Sequence, residues 1–191
     1  MAAGAFTPGG GIASGNFFVA SAEAKALGLV KATTSGVDGY IGLGVSSIYY
    51  PASGGHISSS QYDAVGVAAH ELSEVMGRTG MLGAALGGKT NVYTPLDLFR
   101  FTAPGKPDTT PGTGYFSTNL GRTSLMAYNN PSNGGDASDW AGGWGSAADA
   151  YNAFGRPGAA SVLSSADLLE DAVLGYQLAP TAVLSGQTRL A

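Results

Sequence analysis

The residues with the clearest chemical potential stand together in His70-Glu71-Leu72-Ser73-Glu74. Side chains four apart on an α-helix share one face, one turn apart. A helix through this segment places His70 and Glu74 where they can grip one metal ion. Glu71 stands one step around the helix, within reach of a water at that ion. The spacing is that of the zinc motif H-E-x-x-H, where two histidines bind the metal and the glutamate is the general base. Here a glutamate stands in place of the second histidine. A carboxylate is an acceptable zinc ligand. Its negative charge makes the ion a weaker Lewis acid and its water harder to ionise. The bland alternative for the same residues is a solvated, charged helix face.

Residue arithmetic narrows the choices. The chain has two histidines, His56 and His70, so one chain cannot build a three-histidine site. Its glutamates are Glu23, Glu71, Glu74 and Glu170, and two of them fall within this short window. There are no cysteines, which removes thiolate metal sites, disulfides and a cysteine nucleophile.

The element that must carry the motif is legible. Ser60-x-x-Asp63 has the form of a capping box. Val65, Ala68, Ala69, Leu72, Val75 and Met76 then recur at helical spacing, and Gly77 is a natural stop. The pattern predicts a helix over 61–77. Around it, Ser21 to Leu29 reads as a helix ending near a glycine, and Asp38-Gly39 as a turn. Tyr40 to Val45 reads as a strand whose edge could pair with an extended peptide. Leu96 to Phe101 reads as a strand, residues 147–154 as a short helix, and Ser164 or Ser165 as the cap of a last helix through Leu174. Residues 80–92 are Gly-rich, and residues 104–114 and 129–146 read as loops. The expectation is one α+β domain over 1–191, rich in ordered loop.

Composition excludes several partners. Of 191 residues, 31 are glycine, and charged residues make up 12%, about half the roughly 25% usual in a globular domain. Nine basic residues against thirteen acidic ones leave a net charge of −4. That is no footprint for a nucleic-acid backbone. No apolar run reaches the roughly 18 residues of a membrane span. Low charge with abundant Gly, Ser, Thr and Asn points to a secreted, extracellular protein. No signal peptide is visible at the start of this chain, and the opening reads as a trimmed mature region.

The block Tyr62 to Arg78, YDAVGVAAHELSEVMGR, resembles the active helix of a matrixin-like family of bacterial secreted metalloproteases. Further stretches are similar to that family: Ala24-Lys25-Ala26-Leu27-Gly28, Asp38-Gly39, Pro95 to Arg100, Tyr115-Phe116-Ser117, Gly135-Asp136, Asp139-Trp140-Ala141, and Asp167-Leu168 leading to Leu174-Gly175-Tyr176. The resemblance covers about residues 18–177, with 1–15 and 178–191 as flanking segments. It implies a zincin-like fold with a mixed twisted sheet, an active-site helix, a methionine turn and a C-terminal helix. It implies truncation at the amino end. A branch of the family carries Glu at the second ligand position, as here. The wider metzincin pattern H-E-x-x-H-x-x-G-x-x-H finds Gly77 in place but Gly80 where the third ligand stands. Ser124-Leu125-Met126-Ala127-Tyr128 is similar to the methionine turn.

On this reading one zinc is held by His70, Glu74 and a third ligand. Asp97, in a family-like run, is the first choice. Its alternative role is a strand-end residue capping a turn. His56 and Tyr128 are second and third. Asn129, Asn133, Asp136 and Asp139 form an oxygen-rich cluster that could hold calcium, against ordinary turn chemistry. Trp140 and Trp144 read as cover for a core edge. The implied function is a zinc-dependent endopeptidase acting on a peptide or protein through a metal-activated water, with Glu71 as general base. The alternative is a non-catalytic secreted surface or binding module of the same fold.

Overall fold

The motif helix starts at an aspartate. Asp63 has extended backbone angles (φ −70°, ψ 113°), and its carboxylate accepts the Val65 N–H at 3.1 Å. It is therefore the N-cap. Ser60, the expected first half of a capping box, instead lies within hydrogen-bond distance of Ser58 (3.2 Å). The computed structural model describes residues 15–44, 46, 48–49, 56–142 and 148–177. In chain order the strands are β1 (Asn16–Phe17), β2 (Ile48–Tyr49), β3 (Tyr62–Asp63), β4 (Ala84–Leu86), β5 (Lys89–Tyr93), β6 (Arg100–Ala103), β7 (Lys106–Pro107), β8 (Tyr115–Phe116) and β9 (Met126–Ala127). The helices are α1 (Ser21–Ala26), the motif helix α2 (Ala64–Val75) and α3 (Ser165–Val173).

The fold is mixed α+β, but its described strands do not join into one twisted sheet. Among the described residues they form three small sheets. One is β1-β5-β4, with β1 and β5 parallel and β4 and β5 antiparallel. One is the parallel pair β2-β3. The largest is the antiparallel β7-β6-β8-β9. Among the described residues, 40–44 have no ladder partner, and they are mostly exposed, so the expected strand is not seen over those positions. Leu96–Phe99 is a turn of 3-10 helix, and only Arg100–Ala103 after it is a strand. Residues 148–154 are turns and isolated bridges rather than a helix. Trp144 lies outside the described residues.

The core is aromatic. Phe116, Tyr128, Trp140 and Tyr151 are buried together with Ala150, and Ala69, Phe99, Met126, Ala166 and Val173 pack against them. Trp140 stands at the centre, with ring centroids 5.1 Å from Tyr128 and 5.8 Å from Phe116. Its indole N–H donates to Asp167 at 2.6 Å. Asp167 also closes the capping box of α3 with Ser164. One carboxylate thereby ties the core tryptophan to the start of a helix. As expected, α3 runs to a C-cap at Leu174, and Gly175 follows in the left-handed region (φ 99°).

Helix α2 turns an unexpected face inward. Ala64, Gly66 and Ser73 are buried, while Val65 and Leu72 are 62% and 50% exposed. Gly66 is needed because a Cβ there would lie 2.4 Å from Cβ of Ser161. Ser73 faces inward because its hydroxyl accepts from the buried Arg78 Nε at 2.6 Å and donates to the His70 carbonyl at 2.6 Å. Close backbone approach and a polar network, not the aliphatic stripe, orient this helix.

Candidate metal centre

His70 and Glu74 lie one turn apart on α2, as the helix spacing requires. The imidazole Nδ1 is 2.8 Å from the carbonyl oxygen of Ala150. A carbonyl can only accept, so Nδ1 carries a proton, and in the neutral imidazole Nε2 presents its lone pair. This backbone anchor is the usual partner of a metal-binding histidine. Nε2 lies 3.5 Å from Oε1 of Glu74 and 3.5 Å from Oδ1 of Asp139. Donor atoms of the three residues all fall within 4.8 Å of one another. Two ligand atoms about 2.1 Å from one tetrahedral ion stand about 3.4 Å apart. The His70, Glu74 and Asp139 group is thus of a size and chemistry that could hold a metal ion.

Arg78 closes the far side. It is fully buried one turn beyond Glu74. Its Nη1 donates to Oδ1 of Asp139 at 2.6 Å, its Nη2 lies 3.7 Å from Oε1 of Glu74, and its guanidinium stacks 4.4 Å from the Tyr151 ring centre. Guanidinium cannot give up its charge at ordinary pH, so it offsets part of the charge of the two carboxylates. Burial pulls the His70 imidazole down, but the Glu74 hydrogen bond and the Asp139 charge leave it above its ordinary value. Burial pushes Glu74 up, and His70 and Arg78 more than reverse that, leaving it low. For Asp139 burial prevails over Arg78 and His70, and its pKa is raised.

Glu71 is on the same helix and lines a cleft of about 280 Å³ beside His70. It is half-buried. The other expected ligands are elsewhere. Asp97 is fully buried, and its Oδ2 accepts three backbone N–H groups, from Thr94 (2.8 Å), Met81 (3.0 Å) and Leu82 (3.1 Å). It organises the 80–82 turn and the start of the 3-10 helix, the turn-capping role that was its alternative. Gly80, at the metzincin third-ligand position, faces that carboxylate: a Cβ there would sit 3.1 Å from Oδ1 of Asp97. The loop residue Asp139, not Asp97, lies with His70 and Glu74 in the group that could hold a metal ion. His56 is exposed. Tyr128 is buried, donates to Oε1 of Glu170 at 2.8 Å and lies under the Arg100 guanidinium. Met126 belongs to a strand pair with Phe116 rather than to a turn.

The oxygen-rich loop does not converge on a cation. The Asn129 and Asn133 side chains hydrogen-bond each other at 2.7 and 3.1 Å, Asp136 is exposed, and Asp139 faces Arg78 and His70. Sequence reasoning placed Asp139 in that loop and in a family-like stretch, beside Trp140. Nothing local separates it from Asp136. What separates them is the buried Trp140 next door, which draws residue 139 inward. No family model, curated protein or solved structure matches the chain. Its chemistry is therefore read from the site itself.

Proposed function

We propose that this chain is a zinc-dependent endopeptidase of the matrixin-like, zincin type, with His70, Glu74 and Asp139 as metal ligands and Glu71 as general base. The observation that carries the reading is the fixed His70 tautomer, with Nε2 3.5 Å from each of two carboxylates. A divalent ion held there would supply Lewis acidity at a scissile carbonyl. Glu71, on the adjoining cleft, takes the proton of the attacking water and passes it to the leaving amine. The low charge and high glycine content support a secreted setting.

The second reading, a non-catalytic module, has one observation in its favour. Arg78 already gives Asp139 a partner at 2.6 Å, so the carboxylates are not without a cation when no metal is bound. Elemental analysis after dialysis, together with cleavage of a mixed peptide library, separates the two. The first reading expects about one zinc per chain, lost in His70→Ala. It expects Glu71→Gln to keep the metal and lose cleavage by about 10²–10⁴-fold. A chain that neither retains nor takes up metal leaves the non-catalytic reading.

A further inference from the structure

We infer that the cleft beside His70 and Glu71 receives a lysine or arginine side chain of the substrate, and that Asp149 selects it. The inference takes its substrate class, a peptide, from the reading above. The cleft measures about 280 Å³. Pockets for drug-sized ligands run from about 300 to 1,000 Å³, so this space suits one long side chain. Tyr62 and Phe154 supply aromatic surface, and Asp149 and Asn152 supply polar groups. His70 and Glu71 belong to the same lining.

The charge of the lining decides the occupant. Two acidic residues, Glu71 and Asp149, line the cleft, and no lysine or arginine is among its described lining residues. An acidic side chain would be repelled. A leucine would strip water from the Asp149 carboxylate and offer it no charge in return. A lysine or arginine lays its apolar stem along the rings and brings its cation to the carboxylate and the aromatic faces.

Asp149 is well held for this work. Its Oδ1 accepts the Tyr151 N–H at 2.8 Å, and its backbone bridges to Val162. The bond to a neutral N–H fixes the carboxylate without cancelling its charge. The next residue, Ala150, gives the carbonyl that anchors His70. One short loop thus orients the imidazole and carries the selecting carboxylate. A side chain seated against Asp149 sets its own peptide bond relative to His70 and Glu71.

The test is binding, measured by calorimetry on the whole chain in chelator, where a metal-dependent cleavage cannot run. The probes are blocked peptides that differ at one central residue: lysine, norleucine or glutamate. The lysine peptide should bind about ten-fold more tightly than norleucine, as one charge-assisted contact provides, with glutamate weakest. Asp149→Asn keeps the acceptor for Tyr151 and should bring lysine to within about two-fold of norleucine. Equal binding of the three peptides, no binding of any, or a lysine preference that survives Asp149→Asn would each overturn the inference. The wild-type comparison stands even if the variant misfolds. Zinc is then added and cleavage of the same peptides followed. Selective binding without cleavage sinks the peptidase reading and leaves the cleft's preference intact.

Discussion

Nη1 of Arg78 lies 2.6 Å from Oδ1 of Asp139, across a sequence separation of 61 residues. This buried ion pair fastens the 129–142 loop to the end of α2. It also holds Asp139 within 3.5 Å of Nε2 of His70. The arginine that offsets part of the charge of the two carboxylates is thus also the group that brings Asp139 to His70 and Glu74.

Arg78→Met should destabilise the protein by about 3–5 kcal/mol, the usual cost of stranding one charge of a buried pair. The stacking on Tyr151 would be lost as well. Urea unfolding followed by circular dichroism reads this directly. A loss below about 1 kcal/mol would show that Asp139 is readily solvated and that the pair holds little together.

Metal uptake should depend on Asp139 and not on Asp97. Glu74→Gln and Asp139→Asn are each expected to weaken zinc binding by at least about ten-fold in competition with a chromophoric chelator, since a carboxylate ligand gives way to a neutral amide. Asp97→Asn should leave the affinity unchanged. The reverse ranking would move the site to the 94–97 turn.

Asp97→Ala should instead act on stability. It strands three backbone N–H groups, those of Met81, Leu82 and Thr94. At about 1–3 kcal/mol for each buried unpaired donor, the loss should exceed about 3 kcal/mol in thermal or urea unfolding. A change within about 0.5 kcal/mol would mean that water replaces the carboxylate.

Glu23 predicts a pH dependence. It is 1% exposed, its Oε1 has no hydrogen-bond partner, and burial pushes its carboxyl up to about 7. It packs at the end of α2, where Gly77 (φ 116°) leaves no room for a side chain: a Cβ would meet Oε2 of Glu23 at 2.7 Å. The folded protein keeps the proton to higher pH than the unfolded chain, whose carboxyl ionises near 4.5. Stability from this group is full below that value and is lost as pH rises through about 7. The amount is on the order of 3 kcal/mol. Glu23→Gln should flatten this part of the stability curve between pH 4.5 and about 7. An unchanged slope would place the proton elsewhere, with Glu170, raised by burial to about 8, as the next group to replace.

The helix bearing His70, Glu71 and Glu74 was legible from the sequence alone, because helical spacing is a local property and four residues make one turn. So were a serine cap at 164 or 165, which the structure places at Ser164, the stop at Gly175 and the α+β class. These follow from propensity and from backbone groups satisfied within a few positions. The third member of the site was not legible, nor was the inward face of α2. Asp97 and Asp139 are both acids in loops, and only chain closure decides which one meets His70. Closure gave Asp97 to three nearby N–H groups and Asp139 to Arg78. It also turned Val65 and Leu72 toward water, because Gly66 and Ser73 allow the close approach that the buried polar network demands. Residues 40–44 alternate like a strand but have no partner among the described residues, and a ladder exists only where a second strand supplies the other half of its hydrogen bonds.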